Sequence, residues 1–310
     1  MTDRSRRQLL FGIMLVAGDL AARDVLAQPP RLVKIGALTE SWGPTPAIVG
    51  LRDGLQELGY REDRDFSIGV RFTEGKAAEL PTAARDLVRL GVDIIVTSES
   101  GTSAKAAQMA TNQIPIVFIG SGDPVGLGLV QSFARPGGNI TGIADLDIEL
   151  PPKRMQIFRE LVPGLRRILL PYDATNRDAV ALLAVHREAA RQLGLTLVEK
   201  PVRSEEEARA VITGLRKAEA DGIVSLRFLS LNIPGFMLEV ASRGVIATMF
   251  HAPFFVERGG LASYSANTHE LGKQAARLVD KILKGAKPAD LPVEQPTKFE
   301  LVINRASRES

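Results

Sequence analysis

The chain of 310 residues contains no cysteine, which excludes disulfides, thiolate metal sites, cysteine nucleophiles and lipid attachment at a cysteine. Aromatic residues are also scarce, at 5%, and only one residue is tryptophan. The 39 basic residues nearly balance the 36 acidic ones, and there is no lysine or arginine run and no basic–aromatic stripe. We therefore expect no nucleic-acid partner. The remaining composition, 45% hydrophobic and 24% charged, is typical of a globular protein long enough for two domains.

Recognisable catalytic motifs are missing as well. The three histidines lack the spacing of metal ligands, and no nucleophile elbow, phosphate-binding loop or dinucleotide-binding glycine turn follows a strand pattern. Asp145, Asp147 and Glu149 form an acidic cluster, which a solvated hinge loop is sufficient to explain. We therefore predict a protein that is not an enzyme and uses no cofactor and no metal, with an enzyme on the same scaffold as an alternative.

The first thirty residues have the pattern of an export signal. Arginines at positions 4, 6 and 7 precede the apolar stretch Leu9–Gly18, which is too short to span a membrane as a helix. A small-residue site ends at Ala27, so residues 1–27 are predicted to be a signal cleaved near Ala27, and the mature protein to be periplasmic. Ser5–Leu10 resembles a twin-arginine signal, although Leu9 stands where that pattern usually has phenylalanine. An amphipathic N-terminal helix is the alternative, and the export route stays open.

After the linker Gln28-Pro29-Pro30, apolar strand patterns alternate with helix-period segments, and the same order occurs twice. Strands separated by helices run parallel and are covered on both faces. The sequence therefore predicts an α/β fold with two doubly wound parallel-sheet lobes, each in the order β-α-β-α-β-α-β, joined by a multi-strand hinge. The predicted strands are 32–38, 66–72, 92–97 and 114–119 in the first lobe, 167–170, 195–202, 222–226 and 245–250 in the second, and 261–265 and 299–303 in the tail.

The join between the lobes is predicted at the glycine-rich segment 137–142 and the polar run that follows it. The first lobe would comprise residues 31–144 and roughly 261–285, and the second residues 145–260 and roughly 286–303. More than one crossing of the chain is what a hinge between two lobes requires.

In open parallel sheets, ligands bind beyond the carboxyl ends of the strands. Polar loops with glycine or hydroxyl side chains follow the predicted strands at those ends, where the lobes would face each other across a cleft. The candidate ligand contacts are Thr39, Trp42, Ser98, Ser100, Gly101, Thr102, Ser121 and Asp123 in the first lobe, and Tyr172, Asn176, Arg227, Phe228 and Phe254 in the second.

Several of these candidates have a structural alternative. The ring of Trp42 either lines the ligand cavity or plugs the top of the lobe. Thr102 is expected to cap the helix after the third strand, whose N-terminus would also suit a carboxylate or another anion. Asp123 precedes a proline, which favours a turn role over a ligand contact. Arg227 suits either a ligand carboxylate, because its guanidinium is always charged and bidentate, or an ion pair between the lobes.

Some separated stretches of the chain carry a family pattern: Gly50–Tyr60, Ile114–Gly126, Arg135–Gly142, Ala262–Tyr264 with Glu270–Gly272, and Ile282–Gly285 before Leu291–Glu294. In these stretches the chain resembles the ABC-transporter substrate-binding family, whose lobes have the type I periplasmic-binding-protein fold and which includes members linked to tryptophan or tyrosine uptake. The resemblance covers residues 31 to 305.

The resemblance implies an extracytoplasmic protein that captures a small molecule between its lobes and delivers it to the permease of an ABC importer; we expect a monomer. It places ligand contacts at Thr39–Trp42, Ser98–Thr102, Ser121 with Asp123, and Tyr172 onward. A periplasmic sensor that docks a signalling receptor has the same fold and is the alternative. A repressor's effector domain would need a DNA-binding helix-turn-helix, which residues 1–30 do not supply.

One departure from the family pattern bears on the ligand. Amino-acid-binding members have an Asp-Asn-Thr-type loop after the third strand of the second lobe, where this chain has Arg227-Phe228-Leu229-Ser230. Without that aspartate to meet an α-amino group, an organic or aromatic acid fits Arg227 and Phe228 better. An acid of this kind is the ligand that the sequence predicts.

Overall fold

The computed structural model describes residues 31–41, 43, 45–98, 100–146, 148–216, 218–227, 230–244 and 246–305, with only the backbone of residues 177 and 178. The predicted export signal, Trp42 and Phe228 lie outside the described residues.

Alternating strands and helices make up the described chain. In chain order they are β1 Val33–Thr39, α1 Pro46–Glu57, β2 Phe66–Phe72, α2 Leu80–Arg89, β3 Ile94–Ser98, α3 Gly101–Ala110, β4 Ile116–Ser121, β5 Ile140–Ala144, α4 Pro151–Leu161, β6 Arg167–Asp173, α5 Arg177–Gln192, β7 Thr196–Val202, α6 Glu205–Thr213, β8 Gly222–Val224, α7 Ile233–Ser242, β9 Ala247–Phe250, α8 Pro253–Val256, β10 Ala262–Ala266, α9 Thr268–Leu283 and β11 Phe299–Ile303.

These strands form two sheets, one for each lobe. The first has the order β2-β1-β3-β4-β5 and the second the order β11-β10-β9-β8-β6-β7. All neighbouring strands are parallel except β10 and β11, which are antiparallel. The predicted α/β class and the doubled β-α-β-α-β-α-β order are therefore confirmed.

Each sheet is covered on both faces, as parallel sheets require. Apolar side chains of α1 and α9 pack on one face of the first sheet, and those of α2 and α3 on the other. In the second sheet, α4 and α5 cover one face, and α6 and α7 the other. Because the faces are apolar, polar side chains that interact with a solute are left to the ends of the strands.

Glycines allow α1 and α9 to approach closely. A Cβ atom on Gly50 would lie 1.9 Å from the carbonyl oxygen of His269, and one on Gly272 would lie 2.1 Å from that of Ala47. Two of the sequence stretches that carry the family pattern therefore meet here, although Gly50 and Gly272 are 222 residues apart. No larger side chain fits at either position without moving a helix.

The boundary predicted between the lobes is wrong in the tail of the chain. Residues 261–285 were predicted in the first lobe, but β10 pairs with β9 in the second sheet, and only α9 returns to pack on α1. The following segment stays at the first sheet, where the backbone N–H of Ala144 donates to the carbonyl of Glu294 at 2.9 Å, before β11 joins β10. The chain crosses three times, after β5, after β10 and before β11.

Two elements at the join were missed by the sequence interpretation, which placed a polar connection there. β5 is a buried edge strand paired with β4, and α4 covers the second sheet. The glycines of 137–142 concealed the strand, and two prolines in the first turn of α4 concealed the helix, although proline is well tolerated at that position.

Candidate functional site

The carboxyl ends of β4 and β5 in the first sheet meet that of β8 in the second sheet at a contact around Arg227, which follows β8. Its guanidinium forms an ion pair with Asp145, which follows β5 in the first lobe, and its Nη2 donates to the carbonyl oxygen of Gly120 at 2.8 Å. The side chains of Arg227 and Asp145 are only 20% and 12% exposed. Of the two roles considered for Arg227, the structure shows the ion pair between the lobes.

A β-bulge in β4 frees the carbonyl group that Arg227 contacts. The register between β4 and β5 shifts between Ile119 and Ser121, so Gly120 has no partner on β5, and its φ is +83°. Glycine adopts this backbone conformation without strain, and a bulge turns a backbone group out of the ladder. The carbonyl of Gly120 is thereby left to accept from Arg227.

Asp145 corrects the interpretation of the acidic cluster as a solvated hinge loop. Its carboxylate is largely buried against Arg227, and it lies near the two glycines at the end of β4: its oxygens would be 3.4 and 3.6 Å from Cβ atoms on Gly120 and Gly122. The sequence places Asp145 and Arg227 82 residues apart, so no local pattern could pair them.

In the first lobe, the loop between β3 and α3 carries the hydroxyl groups that the sequence singled out. Ser100 is the N-cap of α3, because its Oγ accepts from the backbone N–H of Ser103 at 3.2 Å. The prediction that Thr102 caps this helix is wrong: Thr102 is an exposed residue of the first turn. An N-cap needs extended backbone, which Ser100 has with φ −147° and ψ 151°, whereas Thr102 is already helical.

The other first-lobe hydroxyls differ in whether they already have partners. Thr39 is fully buried and its Oγ1 donates to the Oγ of Ser41 at 3.2 Å, while the Oγ of Ser98 lies 3.5 Å from that of Thr45. Ser121 is also fully buried, yet its Oγ has no hydrogen-bond partner among the described residues.

Gly101 lies between these groups, at the first position of α3. A Cβ atom there would be 3.3 Å from the Oγ of Ser121 and 2.2 Å from Cδ1 of Leu127, so a larger residue would require the side chain of Leu127 to move. The N-terminus of α3 and the hydroxyl of Ser121 are therefore neighbours. The ends of β3 and β4 together present backbone N–H groups and a hydroxyl at one place.

Asp123 is exposed, and its Oδ1 accepts from the backbone N–H of Gly126 at 2.7 Å. This is the turn role that the sequence favoured.

The second lobe contains three more of the described candidates, each with contacts of its own. Tyr172 is half-buried near the end of β6 and packs against the core, and Asn176 accepts from the N–H of Ala179 at 3.1 Å with its Oδ1 at the start of α5. Phe254 is 51% exposed and its ring lies under the guanidinium of Arg258, 3.5 Å from the centroid. A cavity of about 10 Å³ beside Tyr172, lined also by Leu226 and other residues, has room for about one water molecule.

Glu40 lies in the segment Thr39–Trp42, where the family resemblance places ligand contacts, but it was not one of the individual candidates. It directly follows β1, and its Oε1 accepts from the hydroxyl of Ser100 at 2.5 Å. Ser100 thus bonds to the first turn of α3 and to Glu40 at once. The position of Glu40 at a strand end was a usable signal, but its partner 60 residues away was not.

Within the described ranges, no three His, Cys, Asp or Glu side chains lie close enough together to hold a metal ion. Over the same part of the chain, no helix has the length and apolarity needed to cross a bilayer.

Comparisons with known proteins agree with this architecture. The chain is 26% identical over 274 residues to the tyrosine-binding protein of Clostridioides difficile (strain R20291), covering 88% of this chain and 78% of that protein. It is similar to the crystal structure of an ABC domain from Streptococcus pneumoniae in complex with L-Trp, with a TM-score of 0.78, 26% identity, and 90% and 94% of the two chains covered. It is also similar to a conserved domain protein from Vibrio cholerae, with a TM-score of 0.79, 27% identity and the same coverage.

More distant solved structures share the fold alone. Solute-binding proteins of ABC transporters from Agrobacterium vitis and Thermotoga lettingae, with bound allitol and 5-methylthioribose, superpose with a TM-score of 0.62 at 15% and 13% identity. The two lobes thus have the type I periplasmic-binding-protein fold. The family model for ABC transporter substrate binding proteins matches residues 33–310, so this chain belongs to that family and is the solute-binding component of an ABC transporter.

Proposed function

We propose that the chain is exported by a signal in residues 1–27, cleaved near Ala27, and that it acts outside the cytoplasm as a monomer. There it would hold a small solute between its lobes and present the closed complex to the permease of its importer. The basic and apolar pattern of the first eighteen residues and the membership in the substrate-binding family support this proposal.

The contact of Arg227 with Asp145 and Gly120 is the observation that carries the location of the site. It brings the carboxyl ends of β4 and β5 against that of β8, and ligands of open parallel sheets bind at such ends. The proposed contacts are the candidates of both lobes, with the loop before α3 and Ser121 as the first-lobe wall. A ligand that touches both lobes favours closure only by the additional binding energy it gains in the closed state.

For the ligand we propose a small aromatic molecule that carries a carboxylate. The relatives named as binding tyrosine or L-Trp support an aromatic group and a carboxylate. The free backbone N–H groups at the start of α3 suit a carboxylate. Because Arg227 already pairs with Asp145, it is a weaker partner for that carboxylate than the sequence suggested.

Native mass spectrometry of protein purified from its own host tests the proposal first, because a tightly bound solute stays with the protein. The experiment is followed by small-angle scattering and thermal melting with L-tyrosine, L-tryptophan and the corresponding aromatic acids. We expect an aromatic ligand to raise the melting temperature by mass action and to reduce the radius of gyration. An unchanged melting temperature and radius with every aromatic compound, together with a non-aromatic co-purified solute, would refute the ligand class.

A further inference from the structure

We propose that Glu40 is the cation-binding residue of the ligand site, so that the solute carries an amine as well as an acid group. This inference rests on the proposed function of the cleft and assigns one end of its ligand to a residue of the first lobe.

The carboxylate of Glu40 carries a charge that no other described residue neutralises. Among the described residues, its carboxylate accepts from the hydroxyl of Ser100 and forms no ion pair with any lysine, arginine or histidine. Asp145, another first-lobe carboxylate at this edge, is paired with Arg227. Glu40 is therefore the group that a cationic ligand atom can neutralise.

Glu40 also lies near the contact between the lobes. Glu40 reaches Ser100 at the start of α3, and Gly101 beside it adjoins Ser121. Ser121 in turn directly follows Gly120, whose carbonyl meets Arg227 of the second lobe. A continuous row of neighbouring groups thus leads from Glu40 to the contact between the lobes.

This row of groups includes a hydroxyl without a hydrogen-bond partner among the described residues. The Oγ of Ser121 is fully buried without a partner, and it lies 3.3 Å from where a Cβ atom on Gly101 would be. The backbone N–H groups of Gly101 and Thr102 also lack partners in the part of the chain that the structure describes. A buried polar group without a partner is costly, so the hydroxyl of Ser121 is expected to meet a ligand oxygen, and the N–H groups at the start of α3 lie beside it.

The two ends of the row therefore have opposite preferences. Hydroxyl and N–H donors at the start of α3 suit a carboxylate, and Glu40 beside them suits an ammonium group. A small zwitterion satisfies both, because its opposite charges are only a few bonds apart. This arrangement supplies from β1 the anion that the second-lobe segment Arg227–Ser230 lacks.

The charges around the edge agree with this assignment. The residues at or just after the carboxyl ends of β1 and of β4 to β8 include four carboxylates against two guanidinium groups, namely Glu40, Asp123, Asp145 and Asp173 against Arg203 and Arg227. A wall with such an excess of negative charge attracts a cationic group and repels a ligand with carboxylates alone.

Calorimetric titration of the full-length mature protein tests the inference with three probes: L-tryptophan, tryptamine, which lacks the carboxylate, and indole-3-propionate, which lacks the amine. The same set is repeated for the tyrosine series. We expect the wild-type protein to bind the amino acid most tightly and the des-amino acid at least tenfold more weakly. Loss of a charge-assisted hydrogen bond corresponds to about 10- to 100-fold in affinity.

The variants Glu40→Gln and Glu40→Asp separate charge from structure. Glu40→Gln keeps an acceptor for Ser100 but removes the charge, so it should weaken amine-bearing probes about 10- to 100-fold and leave the des-amino acid unchanged. Glu40→Asp should restore part of the preference. Glu79→Gln, the same change at an exposed carboxylate of the first lobe, serves as the matched control and should bind as the wild type does.

The outcomes distinguish the inference from the proposed function. Suppose that the protein binds aromatic probes, and that the ratio of the affinities for tryptophan and indole-3-propionate is the same in Glu40→Gln as in the wild type. The assignment of Glu40 is then wrong and the proposed binding function stands. The assignment of Glu40 is also overturned if the wild-type protein binds indole-3-propionate more tightly than tryptophan. If no aromatic probe binds in either series, the proposed ligand class fails, and this inference fails with it.

Discussion

Replacing Arg227 by methionine removes the charge at the contact between the lobes while keeping most of the side-chain length. In the wild-type protein the guanidinium bonds to the carboxylate of Asp145 and to the carbonyl of Gly120. The substitution leaves that carboxylate, 12% exposed, without its ionic partner. An unpaired carboxylate at a largely buried position is what destabilises the variant.

The expected loss follows from the burial of the pair. Removing one partner of a fully buried ion pair costs about 3–5 kcal/mol. A fifth of the Arg227 side chain is exposed, so water enters beside it, and we expect about 2 kcal/mol for Arg227→Met. For domains the size of these lobes this corresponds to a melting temperature lower by about 4–8 °C. Adding Asp145→Asn should recover about 1 kcal/mol, because neighbouring residues couple.

Urea denaturation followed by circular dichroism measures the free energies of unfolding for the two single variants and the double variant, all without ligand. Arg243→Met is the matched control: its ion pair with Glu239 lies on an exposed helix face, and we expect less than about 0.5 kcal/mol. The reasoning is refuted if unliganded Arg227→Met is as stable as the wild type while its affinity for an acidic ligand falls more than tenfold. Arg227 would then be a ligand anchor and not a tie between the lobes.

Two further predictions concern the scaffold. Gly50→Ala should lower the free energy of unfolding by at least about 1–3 kcal/mol in denaturant titrations, since its Cβ would overlap a backbone oxygen of α9, whereas Gly69→Ala, with open space around it, should change little. Hydrogen bonds from Arg167 lower the pKa of Asp221 to about 2, so its stabilisation is complete above about pH 4 and disappears as pH falls towards 2. The free energy of unfolding of Asp221→Asn, obtained from melting curves, should therefore be about 1 kcal/mol below that of the wild type at pH 6 and equal to it near pH 2. A difference that stays constant with pH would contradict this.

The strand and helix positions were predictable because each depends on a short periodicity. Strands β2 and β11 begin and end at the predicted residues, and most others differ by one or two. β5 and α4 were not predicted from periodicity. Glycine and proline lower local propensity, and only burial against β4 and the second sheet compensates.

The candidate site was predictable only in part. The rule that ligands bind at the carboxyl ends of parallel strands selected the loops at these ends, and Ser100 and Gly101 do lie at the N-terminus of α3. Composition and spacing did not tell which hydroxyl caps that helix, because Ser100 and Thr102 are equally suitable by residue type. The backbone conformation decided between them.

The sequence by itself determined the class of fold, the doubled order of its elements and the residues at the strand ends, because hydrophobic periodicity and residue type are local properties. Tertiary structure alone decided which of those residues meet. Arg227 pairs with Asp145, 82 residues away, and Glu40 bonds to Ser100, 60 residues away. The crossovers that bring these residues together are not encoded in any local pattern. The tail likewise divides, with β10 in one lobe and α9 in the other, because the close contact of α9 with α1 depends on glycines far apart in the chain. Charge neutralisation and close approach are properties of pairs, and pairs exist only once the chain has folded.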